Sequence, residues 1–236
     1  MTDRIQEFLR ARRRDGRDVG PCLVLDLDVV RDNYLGFAKA LPDTRVFYAV
    51  KANPAPALIS ISDEAPADVH AREKLLDDVF GPARLLKTCE RLREGRLPAR
   101  GLALVAKDDE RLVATLRLWP IFAGADRPAL LLGPLAVARD YRSLGVGAMM
   151  IEEGLARAAA RNHRAVLLVG DAPYYARFGF SQLLTQHLAM PGPVERERFL
   201  GRELASGTLS GAQGRVTAAG ERAARSGSPV ELPRAA

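Results

Sequence analysis

Ala138-Arg-Asp-Tyr-Arg142-Ser-Leu-Gly145-Val-Gly147-Ala-Met-Met-Ile-Glu-Glu-Gly-Leu-Ala-Arg-Ala158 is a glycine-bearing turn that opens into an amphipathic helix, and its reading decides the fold. Glycine lets a backbone approach a phosphate closely, and the first amides of a helix have no intrahelical acceptor and sit at the positive end of its dipole. Arg142 adds a full charge beside them. This order of residue types suits the capture of an anion. A dinucleotide-binding fingerprint would require a third glycine where this chain has Met150, and a β-α-β setting with an acid about twenty residues further on.

Outward from the turn, the strand expected at Leu130 to Val137 contains Gly133-Pro134. Proline removes a ladder donor and glycine permits a bulge, so this strand is expected to kink. Leu102 to Ala106 and Leu112 to Phe122, with turns at Lys107-Asp-Asp-Glu110 and Gly124-Ala-Asp-Arg-Pro128, complete an antiparallel meander. Beyond the helix, Val166-Leu-Leu-Val-Gly170 is an apolar run suited to a buried strand. Asp171-Ala-Pro-Tyr174-Tyr175-Ala-Arg-Phe178-Gly179-Phe180 then reads as a short aromatic helix stopped by Gly179. Upstream, Ile59-Ser-Ile61 alternates like a half-buried strand, Ala67 to Phe80 is helical, and Arg84 to Arg93 reads as a further helix after the stop at Gly81-Pro82. Downstream, Leu184-Thr-Gln-His-Leu188 and Phe199 to Leu204 are expected to close the sheet. From Gly214 the mixture of Ala, Gly, Arg, Ser and Pro reads as a disordered tail.

With these elements in place, the run 59–213 resembles the GNAT superfamily of acyl-CoA-dependent N-acetyltransferases through two motifs, Arg142-x-x-Gly145-x-Gly147 and Tyr175-Ala-Arg-Phe178-Gly179-Phe180. The resemblance implies an α/β (α+β) fold with a mixed, mostly antiparallel, splayed sheet flanked by helices. It also implies acetyl-CoA as acyl donor and a small-molecule primary amine as acceptor. By position, it implies that Leu135, Ala136 and Val137 offer backbone groups to the pantetheine arm. The CoA pyrophosphate falls to the turn Arg142, Ser143, Leu144, Gly145, Val146, Gly147 and Ala148, through amides from Leu144 to Ala148. Tyr175 takes the part of general acid to the departing thiolate, with Tyr174 the neighbouring alternative. Two places depart from the family's pattern: Leu168 stands where many relatives carry an asparagine, and no acid occurs between Leu130 and Val137, where several place a general base. Asp171 is the candidate base by its closeness to Tyr175, and it reads equally well as a helix cap.

The N-terminal part has a different pattern. A short polar helix ends in Ala11-Arg12-Arg13-Arg14, a solvated face. Cys22-Leu-Val-Leu-Asp26 and Arg45-Val-Phe-Tyr-Ala-Val-Lys51 suit buried strands, and Asp28 can cap a helix from Val29 to Leu41, which makes a β-α-β unit. Pro21 to Ile59 resembles the start of the ornithine/lysine decarboxylases, alanine-racemase-like PLP enzymes, and that resemblance would place the Schiff-base lysine at Lys51. PLP chemistry also needs a phosphate site and a partner for the pyridine nitrogen, gathered from a barrel and a second domain. Only the opening of that architecture is present, so PLP is not expected and Lys51 is read as a strand-end lysine. The expected organisation is a decarboxylase-like fragment over 1–58, an acetyltransferase domain over 59–213 and a tail over 214–236. Fusion to such a fragment suggests a diamine, basic amino acid or polyamine as acceptor, by association alone. Its uncovered strands suggest a homodimer or a partner subunit engaged through residues 1–58. A second class of function therefore stays open, an acyl-CoA-binding interaction module with little turnover.

Composition narrows the remaining classes. With 47% hydrophobic and 27% charged residues in 236, the chain can bury a core. Its net charge of +6 is spread evenly, basic against acidic residues numbering 10 and 8 over 1–58, 18 and 16 over 59–190, and 7 and 5 over 191–236. No concentrated nucleic-acid footprint results. No apolar run approaches the roughly 18 residues of a membrane span. Cys22 and Cys89 lie far apart without a signal segment, so neither a disulfide framework nor a structural metal is expected, and the cytoplasm is the expected compartment. His70, His163 and His187 lack metal-ligand spacing.

Overall fold

The computed structural model describes residues 3–14, 27–40 and 59–223. The chain divides into two units, Met1–Ala52 and Asn53–Ala236. The first contains α1 (Asp3–Arg14) and α2 (Leu27–Ala40), the latter where a helix from Val29 to Leu41 is expected. Asp28 in the first turn of α2 and Lys39 in its last both complement the helix dipole. The expected strands Cys22 to Asp26 and Arg45 to Lys51 lie outside the described residues, and Lys51 with them.

The second unit is organised by a seven-stranded sheet. Its strands β1 (Ile59–Asp63), β2 (Ala103–Asp108), β3 (Arg111–Phe122), β4 (Pro128–Val137) and β5 (Ala165–Val169) lie side by side in chain order. Neighbours pair antiparallel except β4 and β5, which are parallel. The expected meander and buried strand are therefore present. β3 alternates faces with the period of two that a strand imposes: Ala114, Leu116 and Leu118 join one core, Trp119 and Ile121 another.

α4 (Val146–Ala160) covers the first face, packing Met150, Ile151 and Leu155 on Leu104, Leu116 and Leu118. α3 (Val69–Phe80) covers part of the other through Leu75 and Leu76, which meet Ala136 and Ala138 of the β4 end. Each fully buried Leu, Ile or Met contributes about 1.5–3 kcal/mol, so these paired layers hold the sheet in shape.

The sheet parts in its middle. β4 pairs with β5 only at Leu130–Val166 and Leu131–Leu167, although β4 continues to Val137. From Leu132 onward, the β5-facing edge of β4 lacks a neighbouring strand. On its other side the register passes from Leu118–Leu132 to Leu116–Leu135, so Gly133 and Pro134 together oppose Arg117. This is the bulge expected from Gly-Pro, and the indole Nε1 of Trp119 donates to the carbonyl of Gly133 at 2.7 Å.

Arg117 is held from behind. Its Nε donates to Glu64 Oε2 at 2.9 Å, and Arg72 Nη1 of α3 donates to Glu64 Oε1 at 3.1 Å. The Glu64 and Arg72 side chains are each 6% exposed. Arg72 also meets Glu73 at 2.7 Å, and Glu73 pairs in turn with Arg84. This chain of charges ties the end of β1 to α3, β3 and the segment after α3.

Three expectations are corrected. Arg84 to Arg93 is no α-helix: it is split into 3-10 turns, Pro82–Leu86 and Thr88–Leu92, by Lys87 in extended conformation. Thr88 is pinned there by donating to the carbonyl of Pro193 at 2.7 Å. Leu184 to Leu188 is mostly a 3-10 turn, and only β6 (Leu188–Ala189) is extended, whereas β7 (Phe199–Glu203) pairs antiparallel with β5 as expected. The domain does not end at 213. β8 (Gly214–Arg215) pairs with β6, β9 (Thr217–Ala218) pairs with the end of β3, and Val216 between them is fully buried against the Trp119 face. Residues 224–236 lie outside the described residues.

Two stability measurements follow from this packing. Val216→Ala removes two buried methyl groups and should cost about 2 kcal/mol in urea unfolding, against less than about 0.5 kcal/mol for Leu86→Ala at a residue 84% exposed. Glu64→Ala leaves two arginines facing each other without their shared carboxylate and should cost about 3–5 kcal/mol.

Candidate active site

The turn between β4 and α4 is built by backbone conformation. Ser143 has φ +63° and Gly145, the N-cap of α4, has φ +83°, both in the left-handed region that favours glycine. A β-carbon on Gly145 would meet nothing within 4 Å, so the concave side of the turn is open. The first residue of α4 whose N–H reaches a helical carbonyl is Met149, to Gly145 at 3.0 Å. The amides of Val146, Gly147 and Ala148 are left over, as at any helix start.

Side chains fix this turn to the β2–β3 hairpin. Arg111 grips Asp140 with both terminal nitrogens, at 2.7 and 3.1 Å, and the Tyr141 hydroxyl donates to Asp108. The Arg111 guanidinium lowers the Asp140 carboxyl below its usual range, and the bond to Asp108 raises the Tyr141 phenol. Arg142 is exposed, and its Nε donates to the carbonyl of Val137 at 3.4 Å. Leu144 packs against the α4 core. Of the β4 residues singled out in the sequence, Ala136 is buried beneath α3, whereas Leu135 and Val137 are half-buried on the α4 side. There, Val137 Cγ2 lies 3.6 Å and Leu135 Cδ2 4.0 Å from where a β-carbon of Gly147 would stand.

A pocket of about 940 Å³ opens where the strands part. One wall is the bulge from Gly133 to Leu135, the end of β5 at Gly170, Asp171 and Tyr175. Leu135 belongs to both places: it lines this pocket and lies against the glycine turn. Leu135 thus links the two ends of the open β4 edge.

Tyr175 sits on α5 (Ala172–Ala176), which Asp171 starts by accepting the Tyr174 N–H on Oδ2 at 3.1 Å. The capping reading of Asp171 is therefore present, and the same exposed residue also lines the pocket. The Tyr175 ring lies against Gly170, so close that a β-carbon there would stand 2.3 Å from its Cε2. Edge contacts with Tyr174 at 5.1 Å and Phe180 at 5.8 Å complete its setting. Burial, helped by Tyr174 and Asp171, pushes its phenol up to about 12, so it holds its proton at neutral pH. Tyr174 lies on the other side, with its hydroxyl 3.2 Å from the β-carbon position of Gly147. Of the two adjacent tyrosines, Tyr175 lines the pocket and Tyr174 faces the turn.

Sequence reasoning missed the rest of the lining. Lys87, Cys89, Glu90 and Arg93 come from the 3-10 segment after α3 and Pro193 to Glu195 from the loop before β7, whereas Arg198 adjoins the end of β5, its carbonyl accepting the Gly170 N–H at 2.9 Å. Burial raises the Cys89 thiol and lowers the Arg93 guanidinium. The only signal in the chain was the density of basic residues from Arg84 to Arg93, which carries no information about what they face.

Comparison with known proteins agrees with this geometry. Residues 70–180 match the acetyltransferase (GNAT) family. The uncharacterised N-acetyltransferase YhbS of Escherichia coli K12 is 31% identical over 155 residues, 65% of this chain and 92% of that protein. The crystal structure of the E. coli YhbS protein in complex with CoA is similar with a TM-score of 0.60 at 32% identity, covering 70% of this chain and 92% of that one. A GNAT acetyltransferase of Brucella melitensis in complex with acetyl-CoA is more distant, with a TM-score of 0.43 at 24% identity over 62% of this chain and 96% of its own. At 31% identity and spanning 92% of that E. coli N-acetyltransferase, with the family's match over 70–180, this chain belongs to the GNAT acetyltransferase family.

Proposed function

We propose that the protein transfers an acetyl group from acetyl-CoA directly to a primary amine. The observation that carries this reading is the parting of β4 from β5, which leaves one strand edge open between the free amides of α4 and the hydroxyl of Tyr175. The E. coli relative's complex with CoA supports the choice of ligand. Acetyl-CoA supplies an acetyl thioester, whose carbonyl carbon an amine can attack and whose sulfur then leaves.

The protein's own groups serve that chemistry as follows. Amides from Leu144 to Ala148, with Ser143 and Gly145 shaping the turn and Arg142 adding charge, hold the pyrophosphate at the positive end of α4. Main-chain groups of Leu135, Ala136 and Val137 hold the extended pantetheine arm as a strand would, and an amide on that edge stabilises charge developing on the carbonyl oxygen. Tyr175 keeps its proton at Oη until the sulfur takes it. Asp171 spends one oxygen on capping α5 and, at the pocket wall, accepts the proton that the incoming ammonium must lose. Residues 1–58 serve in docking, to a partner subunit or a second copy, because the strands expected there need cover. The use of acetyl-CoA and two distant cysteines support a cytoplasmic setting.

The test is a calorimetric titration with acetyl-CoA. Gly145→Glu puts a carboxylate into the open side of the turn, and affinity should fall by about a hundredfold or more. Unchanged affinity in a variant that retains the wild-type circular dichroism would remove the pyrophosphate assignment. For the acid, Tyr175→Phe should lower kcat about a hundredfold while leaving acetyl-CoA affinity within about threefold. The phenol is active while protonated, and its raised pKa extends that state upward, so the wild-type kcat should show no alkaline fall below pH 10. A fall centred lower in the wild type would assign the acid elsewhere.

A further inference from the structure

Resting on the acyl-transfer reading, we propose that the acceptor amine carries an anionic group, a carboxylate or phosphate, at the end remote from its nitrogen, and that Lys87 and Arg93 receive it.

The charges lining the pocket largely pair with one another or with neighbours. Glu90 meets Arg93 Nη2 at 3.2 Å, Arg84 Nε meets Asp77 at 2.8 Å as well as Glu73, and Glu195 faces Arg198 at 3.9 Å. Two ions have no opposite charge in contact among the described residues, Lys87 and Asp171. They come from different segments of the lining, Lys87 from the 3-10 segment after α3 and Asp171 from the end of β5. Lys87 lies between the 3-10 turns after α3, with Nζ 4.9 Å from the centre of the Phe80 ring. An aromatic face steadies an ammonium without cancelling its charge. Arg93 beside it is only 8% exposed, spends Nε on the carbonyl of Cys89 at 3.2 Å and Nη2 on Glu90, and has no described acceptor for Nη1. Asp171 belongs to the wall with Tyr175.

This separation of charge orients a ligand. The nitrogen that is acetylated must reach the Tyr175 wall, where an approaching ammonium meets Asp171. Whatever the molecule carries at its other end then lies toward Lys87 and Arg93. A second ammonium there would meet like charge from Lys87. A carboxylate or phosphate would give Lys87 a counter-charge and Arg93 Nη1 an acceptor. The pocket's volume of about 940 Å³ accepts such a molecule with several carbons between its ends. The diamine or polyamine suggested by the N-terminal fragment fits these walls less well than an amine of amino-acid or aminoalkyl-phosphate type.

The experiment uses the full chain with acetyl-CoA and three acceptors of one skeleton length: δ-aminovalerate, pentylamine and cadaverine, with anionic, neutral and cationic ends. The expected kcat/KM for δ-aminovalerate exceeds that for cadaverine roughly tenfold, with pentylamine between them. In Lys87→Glu that order inverts, and in Lys87→Gln it flattens. An aminobutylphosphonate distinguishes the sources of the anion: if it surpasses δ-aminovalerate the natural terminus is a phosphate, and otherwise a carboxylate. Cadaverine equalling or surpassing the anionic acceptors in the wild type overturns the proposal while leaving acetyl transfer intact. The same acceptors are titrated in ligand-observed NMR without acetyl-CoA. Preferential binding of the anionic amine that Lys87→Glu abolishes, in a chain that acetylates none of them, supports this pocket and removes the transferase reading; equal binding of all three removes the pocket assignment.

Discussion

The parting of β4 from β5 after Leu131–Leu167 is the constraint from which the site follows. A strand edge that loses its neighbour inside a domain leaves main-chain donors and acceptors without partners, a state that costs free energy unless water or a ligand occupies it. Here the loss is enforced. Gly133 and Pro134 occupy the space opposite the single residue Arg117, which turns β4 away, and Pro134 has no N–H to offer any neighbour. Trp119 takes up the carbonyl of Gly133, so the bulge itself does not add an unpaired buried acceptor. The shape is then secured from the far side of the sheet, where Glu64 gathers Arg72 and Arg117 in a setting too dry to release either. A buried charge cluster is weak evidence for stability but good evidence for a fixed geometry, since breaking it is costly whatever its net worth.

The two ends of the open edge are held by different physics. At the turn, the backbone conformations of Ser143 and Gly145 do most of the shaping, and the side-chain clamp of Arg111 on Asp140 is solvent-exposed. Salt screens such a pair, so its value lies in orienting the turn against the β2–β3 hairpin more than in stabilising the fold. At the pocket, packing dominates: the rings of Tyr174, Phe178 and Phe180 surround that of Tyr175, the first and last of them edge-on. The turn therefore keeps contact with solvent, while Tyr175, the proposed proton donor, lies in a drier place.

How far this could be read in the chain depended on whether the signal was local. The meander, the Gly-Pro bulge, the turn with Gly145 and Gly147 and the short helix bearing Tyr175 are each written in consecutive residues, and all are present. What lay beyond local reading came from contacts distant in sequence. Thr88 is locked by the carbonyl of Pro193, so the segment that reads as a helix from Arg84 to Arg93 breaks at Lys87 and becomes a pocket wall. Val216 is one apolar residue in a run of Ala, Gly, Arg and Thr, too little for a periodicity, yet two flanking pairs on other strands make it core. That Tyr175 lines the pocket while Tyr174 faces the turn likewise needed three dimensions, because neighbours on a helix face in different directions.

The burial of Tyr175 deserves weighing against its proposed task, since a phenol pushed up to about 12 is a reluctant acid. Proton transfer depends on the difference between donor and acceptor, however, and the sulfur that would take this proton leaves into the same poorly solvated space. Desolvation raises the basicity of a thiolate just as it raises that of a phenolate, so the difference shifts less than either value alone. The burial therefore sacrifices little driving force and guarantees that the proton is present. It also explains the bare backbone at the end of β5: the ring can lie where it does only because Gly170 has no side chain, and Asp171, by capping at the next residue, sets where the helix begins and so which side of it meets the pocket. Position, protonation and helix start are decided within six consecutive residues, Gly170 to Tyr175, at the one point where the strand beside the open edge ends.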